Sequence, residues 1–399
     1  MKNLDNFKFS NKKILLRVDL NVPYMDGKIT EISRIKIIKK TINKLQENNN
    51  KIYLVSHFGR PLGKYKKKYS LEFICLELKK ILKLNKVYFL NDFKDKKIDA
   101  INNKLKSGDI CLIENIRFYP EEEKNDIKFA KKISKNFDIY VNDAFSASHR
   151  KHASIVSIPK FLPSYAGYSL TNEIDNINYF IKNPKKPNLA IIGGSKISTK
   201  INLLNNLCET FDSIAIGGAM ANTFLYANGI NIGNSLYEKD LDKIAISILK
   251  KAKKFNCKII LPIDVVCGKN LNDKVNIKEI NVNNILSNQM ILDIGINTTN
   301  LISSNILKSK MILWNGPLGA FEYKPFDKSS IKIAKCILKN YGNLNMITLA
   351  GGGDTISAIK LAKAEKGFSY ISKAGGAFLE WLEGNKSPGI KALEKNIIN

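Results

Sequence analysis

Acidic residues are scarce in this chain of 399 residues: 36 Asp and Glu stand against 64 Lys and Arg, a formal net charge of +28. Histidine is rarer still, at three residues, and tryptophan occurs twice. No apolar run approaches the roughly 18 residues that a spanning helix needs. The opening Met1-Lys2-Asn3-Leu4-Asp5-Asn6 lacks the hydrophobic stretch of a signal peptide. A soluble, cytoplasmic chain without a membrane partner is therefore expected. The six cysteines are scattered and form no Cys-x-x-Cys pair, so they read as small buried apolar residues, not as disulfides or zinc ligands. Gly-x-x-x-x-Gly-Lys-Ser/Thr and Gly-x-Gly-x-x-Gly are both missing, which removes the usual support for a P-loop or a dinucleotide-binding reading.

What is present is enough to build full cores. Hydrophobic residues make up 44% of the chain and charged residues 25%, an ordinary globular balance, and the length suggests two or three domains. The basic residues lie in short groups such as Lys66-Lys67-Lys68 and Lys250-Lys251, accompanied by many Asn and Ile. Without a single stripe or basic tail, the charge reads as a compositional bias and not as a nucleic-acid footprint.

Short β-branched apolar runs alternate with longer amphipathic patterns throughout. Strands are predicted at 14–18, 52–56, 87–90, 110–113 and 139–141, then at 189–192, 213–216, 258–261, 311–314, 346–349 and 369–371. Helices are predicted at 33–48, 70–82 and 127–136, then at 198–207, 239–254, 329–339, 354–364 and 374–382. This alternation implies βαβ units: an α/β chain of two Rossmann-like lobes, each a parallel sheet covered by helices. A polar-faced helix capped by Asn172 and ended by Pro184 and Pro187 joins the lobes. The division is an N-terminal lobe at 1–171, a linker helix and hinge at 172–187, a C-terminal lobe at 188–386 and a tail at 387–399.

The unusual residues follow the strands at their C-terminal ends, where open α/β sheets bind ligands. In the first half these ends carry Arg17-Val-Asp-Leu-Asn-Val-Pro23, Ser56-His-Phe-Gly-Arg-Pro61, Glu114-Asn-Ile-Arg117 and Asp143-Ala-Phe-Ser-Ala-Ser-His-Arg-Lys-His152. Arg34, His57, Arg60, Arg117 and Arg150 are thus offered from one edge, and converging arginine forks suit a phosphate or carboxylate. Asp19 and Asn21 share a strand face and suit a hydroxyl. His149 and His152 lack an obvious third metal ligand and read as supporting residues. In the second half the strand ends carry Gly193-Gly-Ser-Lys196, Gly217-Gly218, Asn315-Gly-Pro-Leu-Gly319 and Gly351-Gly-Gly-Asp-Thr355. Glycine admits a close ligand and each loop opens a helix, so a nucleotide site is expected. Lys196 and Lys200, four apart at a helix start, could both face phosphates, and Asp354 is the best-placed carboxylate for magnesium.

In order and content, Arg17–Pro23, Ser56–Pro61, Glu114-Asn-Ile-Arg-Phe118, Trp314-Asn-Gly-Pro-Leu-Gly319 and Gly351–Thr355 closely resemble the signatures of phosphoglycerate kinase. The resemblance runs from about Lys13 to Gly384. It implies phosphoryl transfer between 1,3-bisphosphoglycerate and ADP, in a monomer whose partners are these substrates and neither nucleic acid nor membrane. Asp19, Asn21, Arg34, His57, Phe58, Gly59, Arg60, Arg117 and Arg150 would hold the glycerate substrate. Lys200, Glu322, Gly352, Gly353, Asp354 and Thr355 would hold Mg-ATP or Mg-ADP, with Asp354 toward Mg2+. Arg34, Lys200 and Lys196 would serve catalysis, and the tail would return to the first lobe. Ser195 and Thr199 stand where the family usually has Ala and Asp, and Lys373 where Thr is common.

Overall fold

A computed structural model describes residues 1–5, 7–84, 86–106, 109–273 and 275–396; residues 397–399 of the tail lie outside them. The chain divides into two units, Met1–Asp175 with Lys386–Asn399, and Asn176–Asn385.

The first unit contains β1 (Lys13–Arg17), a small antiparallel hairpin of β2 (Tyr24–Met25) and β3 (Lys28–Ile29), then β4 (Lys51–Val55), β5 (Val87–Leu90), β6 (Ile110–Ile113), β7 (Ile139–Asn142) and β8 (Ser164–Ala166). Six of these form one parallel sheet in the order β5-β6-β4-β1-β7-β8. Residues 52–55 and 110–113 are buried without alternation, as strands covered on both faces must be. The order reverses direction between β1 and β7, and loops leaving the strand ends diverge at such a reversal and open a crevice. The core beneath is built from Leu16, Leu54, Leu112 and Val141 with Ile42 and Leu78 of the covering helices. The helix Pro388–Glu394 belongs to this unit: Gly389 N–H donates to Ser148 O at 2.8 Å, and Asn396 Nδ2 donates to the carbonyls of Pro159 and Leu162.

The second unit repeats the plan with β9 (Asn188–Ile192), β10 (Ser213–Ile216), β11 (Lys258–Ile260), β12 (Asp264–Gly268), β13 (Lys278–Asn281), β14 (Met290–Ile294), β15 (Met311–Asn315), β16 (Ile347–Gly351) and β17 (Tyr370–Ser372). The parallel sheet runs β11-β10-β9-β15-β16-β17, with its reversal between β9 and β15. A separate antiparallel sheet, β13-β12-β14, was not expected from the sequence. Its apolar runs, Val265-Val266-Cys267 and Met290-Ile291-Leu292, are only three residues long and flanked by Asp264 and Asp293, and β13 is largely exposed.

Three local expectations need correction. The helix expected over 33–48 is two helices, Ser33–Ile37 and Lys39–Gln46, divided at Ile38. The linker helix begins at Tyr168 instead of being capped by Asn172, because the Asp143 carboxylate reaches across from the loop after β7 and accepts Leu170 N–H at 3.0 Å. The helix expected from 198 begins at Ile201, which leaves Lys196 in the irregular loop before it and Lys200 at the N-cap. The two lysines therefore do not share a helix face.

Candidate active site

The first site lies at the C-terminal ends of β1, β4, β6 and β7. Asp19 is its hub: it accepts from Arg34 Nη1 and Ser146 Oγ through Oδ2, and from Asn21 N–H at 3.0 Å through Oδ1. Burial, the largest influence, would raise the carboxyl's pKa. Arg34, with hydrogen bonds from Ser146 and Asn21, outweighs it and holds Asp19 well below the usual carboxylate range. Asn21 Oδ1 accepts Gly59 N–H at 2.9 Å, tying the loop after β4 to the loop after β1. Gly59 has φ +60°, and a Cβ there would lie 2.6 Å from the Tyr69 ring, so the close turn requires glycine.

Arg117 carries the most direct sign of a ligand. It is 2% exposed, and its Nη1 donates to Gly59 O at 2.8 Å. Its Nε lies 3.4 Å from Glu123 Oε1 without a hydrogen bond, and its Nη2 has no hydrogen-bond partner. Burial, with Arg150 and Arg17 adding like charge, lowers its pKa to about 10. A buried guanidinium with open donors among other cations is a seat for an anion. Half-buried Arg150 donates from Nε to His149 Nε2 at 3.3 Å. The structure thus brings together Asp19, Asn21, Arg34, His57, Arg117 and Arg150. Phe58 packs into the apolar core at the edge of the site, and Arg60 is exposed, outside the hydrogen bonds of the cluster.

Several supporting residues escaped the sequence reading. Glu114 accepts from Ser70 Oγ at 2.7 Å and from Leu71 N–H at 2.9 Å, while Asn115 Nδ2 donates to Phe58 O at 2.7 Å and Tyr69 O at 2.9 Å. Together they fix the loop that presents His57 and Gly59. Both stand inside a quoted motif, so a signal existed. Ser146 also stands inside a quoted motif, but its partner Asp19 is 127 positions away and nothing in the sequence pairs the two.

The second site surrounds a cavity of about 440 Å3 lined by Gly194, Gly218, Leu236, Leu318, Glu322 and Asp354 among others. The apolar residues suit a base, and the glycines and helix starts suit phosphates. β9 and β15 end so close together that a Cβ on Gly193 would overlap the Pro317 carbonyl, and one on Gly316 the Gly193 carbonyl. Gly352, at φ +100°, leads into the helix Gly353–Leu361. Thr355 Oγ1 accepts Gly316 N–H at 2.6 Å, joining two of the glycine loops.

Lys200 is buried behind Gly194. Its Nζ donates to Gly193 O at 2.6 Å, Asn315 O at 3.1 Å and Asn315 Oδ1 at 2.6 Å. Burial lowers its pKa to about 8, opposed by Asp354. Asn315 also donates to Gly351 O at 2.7 Å, so this unanticipated residue aims the lysine and spans the strand ends. Lys196 is exposed, does not line the cavity and has Glu238 as a charged neighbour. Of the departures from the family pattern, Ser195 lines the cavity, Thr199 Oγ1 donates to Lys196 O at 3.0 Å, and exposed Lys373 is absent from the lining.

Among the described residues no cluster of three or more His, Cys, Asp or Glu could hold a metal ion. Asp354 offers one carboxylate at the cavity, and magnesium bound through one carboxylate plus substrate phosphates needs no further protein ligand. The residues fit Mg2+ carried by a nucleotide.

The family model for phosphoglycerate kinase matches residues 4–385. Phosphoglycerate kinase of Brucella abortus is 43% identical over 394 residues, covering 99% of each chain, and that of Sinorhizobium medicae is 42% identical over 396 residues, again covering 99% of each. The solved phosphoglycerate kinase of Coxiella burnetii superposes with a TM-score of 0.88 at 36% identity, covering 99% of both chains. That of Pyrococcus horikoshii gives 0.83 at 30% identity, covering 99% of this chain and 98% of the other. An anion seat on one parallel sheet, a glycine-lined cavity on another, and similarity over nearly the whole length lead to one conclusion: the chain belongs to the phosphoglycerate kinase family, enzymes that transfer a phosphoryl group reversibly between 1,3-bisphosphoglycerate and ADP, giving 3-phosphoglycerate and ATP.

Proposed function

We propose that the site on the first unit holds the glycerate substrate and that the cavity on the second holds ADP or ATP with Mg2+. The observation that carries the first assignment is Arg117, buried with an unpartnered Nη2. Asp19 and Asn21 take the glycerate hydroxyl region, and Arg34, His57, Arg60, Arg117 and Arg150 its phosphate and carboxylate. Phe58 and Gly59 shape the loop between them. On the second unit, Glu322 takes the ribose hydroxyls, Gly352, Gly353 and Thr355 the phosphates, and Asp354 the metal. Mg2+ would supply positive charge to the phosphate oxygens.

The chemistry asks little covalent help of the protein. A loose phosphoryl group must be aligned between two oxygens and its charge neutralised. The carboxylate of 3-phosphoglycerate is already an adequate nucleophile, so no general base is needed. Lys200 supplies one fixed cation and Arg34 another; Arg34 spends one nitrogen on Asp19 and keeps the rest of its fork for the ligand. Lys196, exposed in the loop after β9, attracts phosphate from outside the cavity wall. In-line transfer also calls for a conformational step about the 172–187 segment. The working form is a cytoplasmic monomer that uses neither nucleic acid nor membrane.

Arg34→Ala tests the assignment. Turnover should fall by about 10³-fold, the range for a cation that neutralises transition-state charge, while the circular dichroism spectrum is retained. Near-normal turnover of the folded variant refutes the role.

A further inference from the structure

Arg17 opens the first motif, yet nothing above gives it a task. It is 1% exposed at the end of β1, and its guanidinium makes three directed contacts. Nε donates to Ser154 Oγ at 3.0 Å, Nη1 donates to Val18 O, and Nη2 lies 3.2 Å from His57 Nδ1. Behind it, Ser154 Oγ donates to Glu122 Oε1 at 2.6 Å and Ser154 N–H to Glu122 Oε2 at 2.8 Å. Glu122 is fully buried. A relay of Glu122, Ser154, Arg17 and His57 thus runs from the helix Pro120–Glu123 to the loop after β4.

The polarity of the last link is fixed by chemistry. A guanidinium donates only and does not lose its proton in a protein. His57 Nδ1 must therefore accept, and the proton of a neutral ring must sit on Nε2. We propose that Arg17 is a positioning residue that locks His57 as the neutral Nε2–H tautomer, making it a fixed, uncharged donor to the substrate and not a titrating cation.

Resting on the proposed substrate contact of His57, the assignment gives that contact a definite proton. The surroundings agree with it. Burial first, then Arg17, with Arg117 and Arg150 also facing the ring, hold the imidazole well below its ordinary pKa, and Asp19 alone pulls the other way. A neutral donor also avoids adding another charge beside Arg17, Arg117 and Arg150. Lysine at position 17 could not serve, because a single ammonium lacks the planar fork that reaches Ser154, Val18 and His57 together.

With three histidines in the chain, the test is direct. Histidine labelled with ¹⁵N is followed by long-range ¹H–¹⁵N spectra of the whole protein between about pH 5 and 8, with His57→Gln giving the assignment. The wild-type His57 should show a protonated Nε2 and an unprotonated Nδ1 throughout. An Nδ1–H form, or titration near the ordinary histidine pKa of about 6.5, overturns the proposal. In Arg17→Lys the tautomers should mix, and KM for 3-phosphoglycerate should rise about tenfold at pH 7.5, with a smaller change in kcat. A folded Arg17→Lys protein with unchanged tautomer and KM also overturns it. Should that variant fail to fold, the wild-type spectrum decides alone. Adding 3-phosphoglycerate to wild type tests the substrate contact separately: an unmoved His57 signal in the expected tautomer refutes that contact and leaves the Arg17 assignment standing.

Discussion

Arg117 is a cation placed where a folded chain gains least from one, and the cost is recovered only when an anion arrives. Replacing it separates stability from binding. Arg117→Met should lower 3-phosphoglycerate affinity about a hundredfold, the scale of a lost charge-assisted fork. The melting temperature of the protein alone should hold or rise, because an incompletely paired buried charge gives way to an apolar chain of similar length. Calorimetric titration and thermal melts check the two halves, and a lower melting temperature with intact affinity contradicts the reading. Lys200 makes a prediction of a different kind. With its pKa lowered to about 8 by burial, kcat/KM for the nucleotide should decline as pH rises past about 8. At saturating nucleotide, kcat should hold to higher pH, because bound phosphates favour the ammonium. Profiles in which kcat/KM falls only near the ordinary 10.5 would contradict it.

Among the elements, the helix Tyr168–Lys182 starts against a carboxylate 27 positions before Leu170. Asp143 accepts Leu170 N–H at its start, yet Asp143 Oδ2 is buried without a partner, and burial raises the pKa to about 7. The folded state thus binds the proton more tightly than the unfolded chain, whose carboxyl has the ordinary value of 3.8. Stability from this group is complete below that value and is lost as pH rises through about 7. Asp143→Asn keeps an acceptor for Leu170 and removes the charge. Its melting temperature should match wild type near pH 4, exceed it increasingly up to about pH 7, and keep a constant gap beyond. A gap that does not change with pH would show that Asp143 does not titrate there.

The same helix marks where the sequence stopped being legible. β4 and β6 could be read because buried parallel strands are unbroken apolar runs, and 52–55 and 110–113 are such runs. Asn172 misled because it is a good capping residue, while the actual cap comes from Asp143 by tertiary contact. β8 is only three residues long, and the helix Ile296–Lys308 is rich in Asn, Thr and Ser, so neither stood out. In the sites, the motifs placed Asp19, Arg34, His57 and Arg117 near one another in expectation. Ser146, Ser154 and Glu122 are ordinary surface residue types whose value appears only when chain segments more than a hundred, or several tens of, positions apart come together.

For the whole molecule, the notable feature is that the first unit is finished by a distant segment. Gly389 donates to Ser148 O, the residue directly after the Phe145–Ala147 turn and two before Arg150, so the tail braces the loop that carries Ser146 and Arg150. A Cβ on Gly389 would lie 2.7 Å from Ile155 Cγ2 and 3.1 Å from Ser148 O. Gly389→Ala should therefore destabilise the first unit by about 1–3 kcal/mol and weaken 3-phosphoglycerate binding, leaving ADP binding unchanged. Calorimetry with each ligand checks this, and an equal loss for both ligands would contradict the tail's local role.

The discontinuity has a consequence for the order of biosynthesis. Translation releases residues 176–385, a complete unit, before it releases the helix Pro388–Glu394 that the earlier unit needs. On a ribosome, the part of the protein made first must wait with Ile155 and Ser148 uncovered until the part made second has passed. The proposed seat for the glycerate substrate is therefore completed only after residues 176–385 have emerged, although most of its own residues emerge before them.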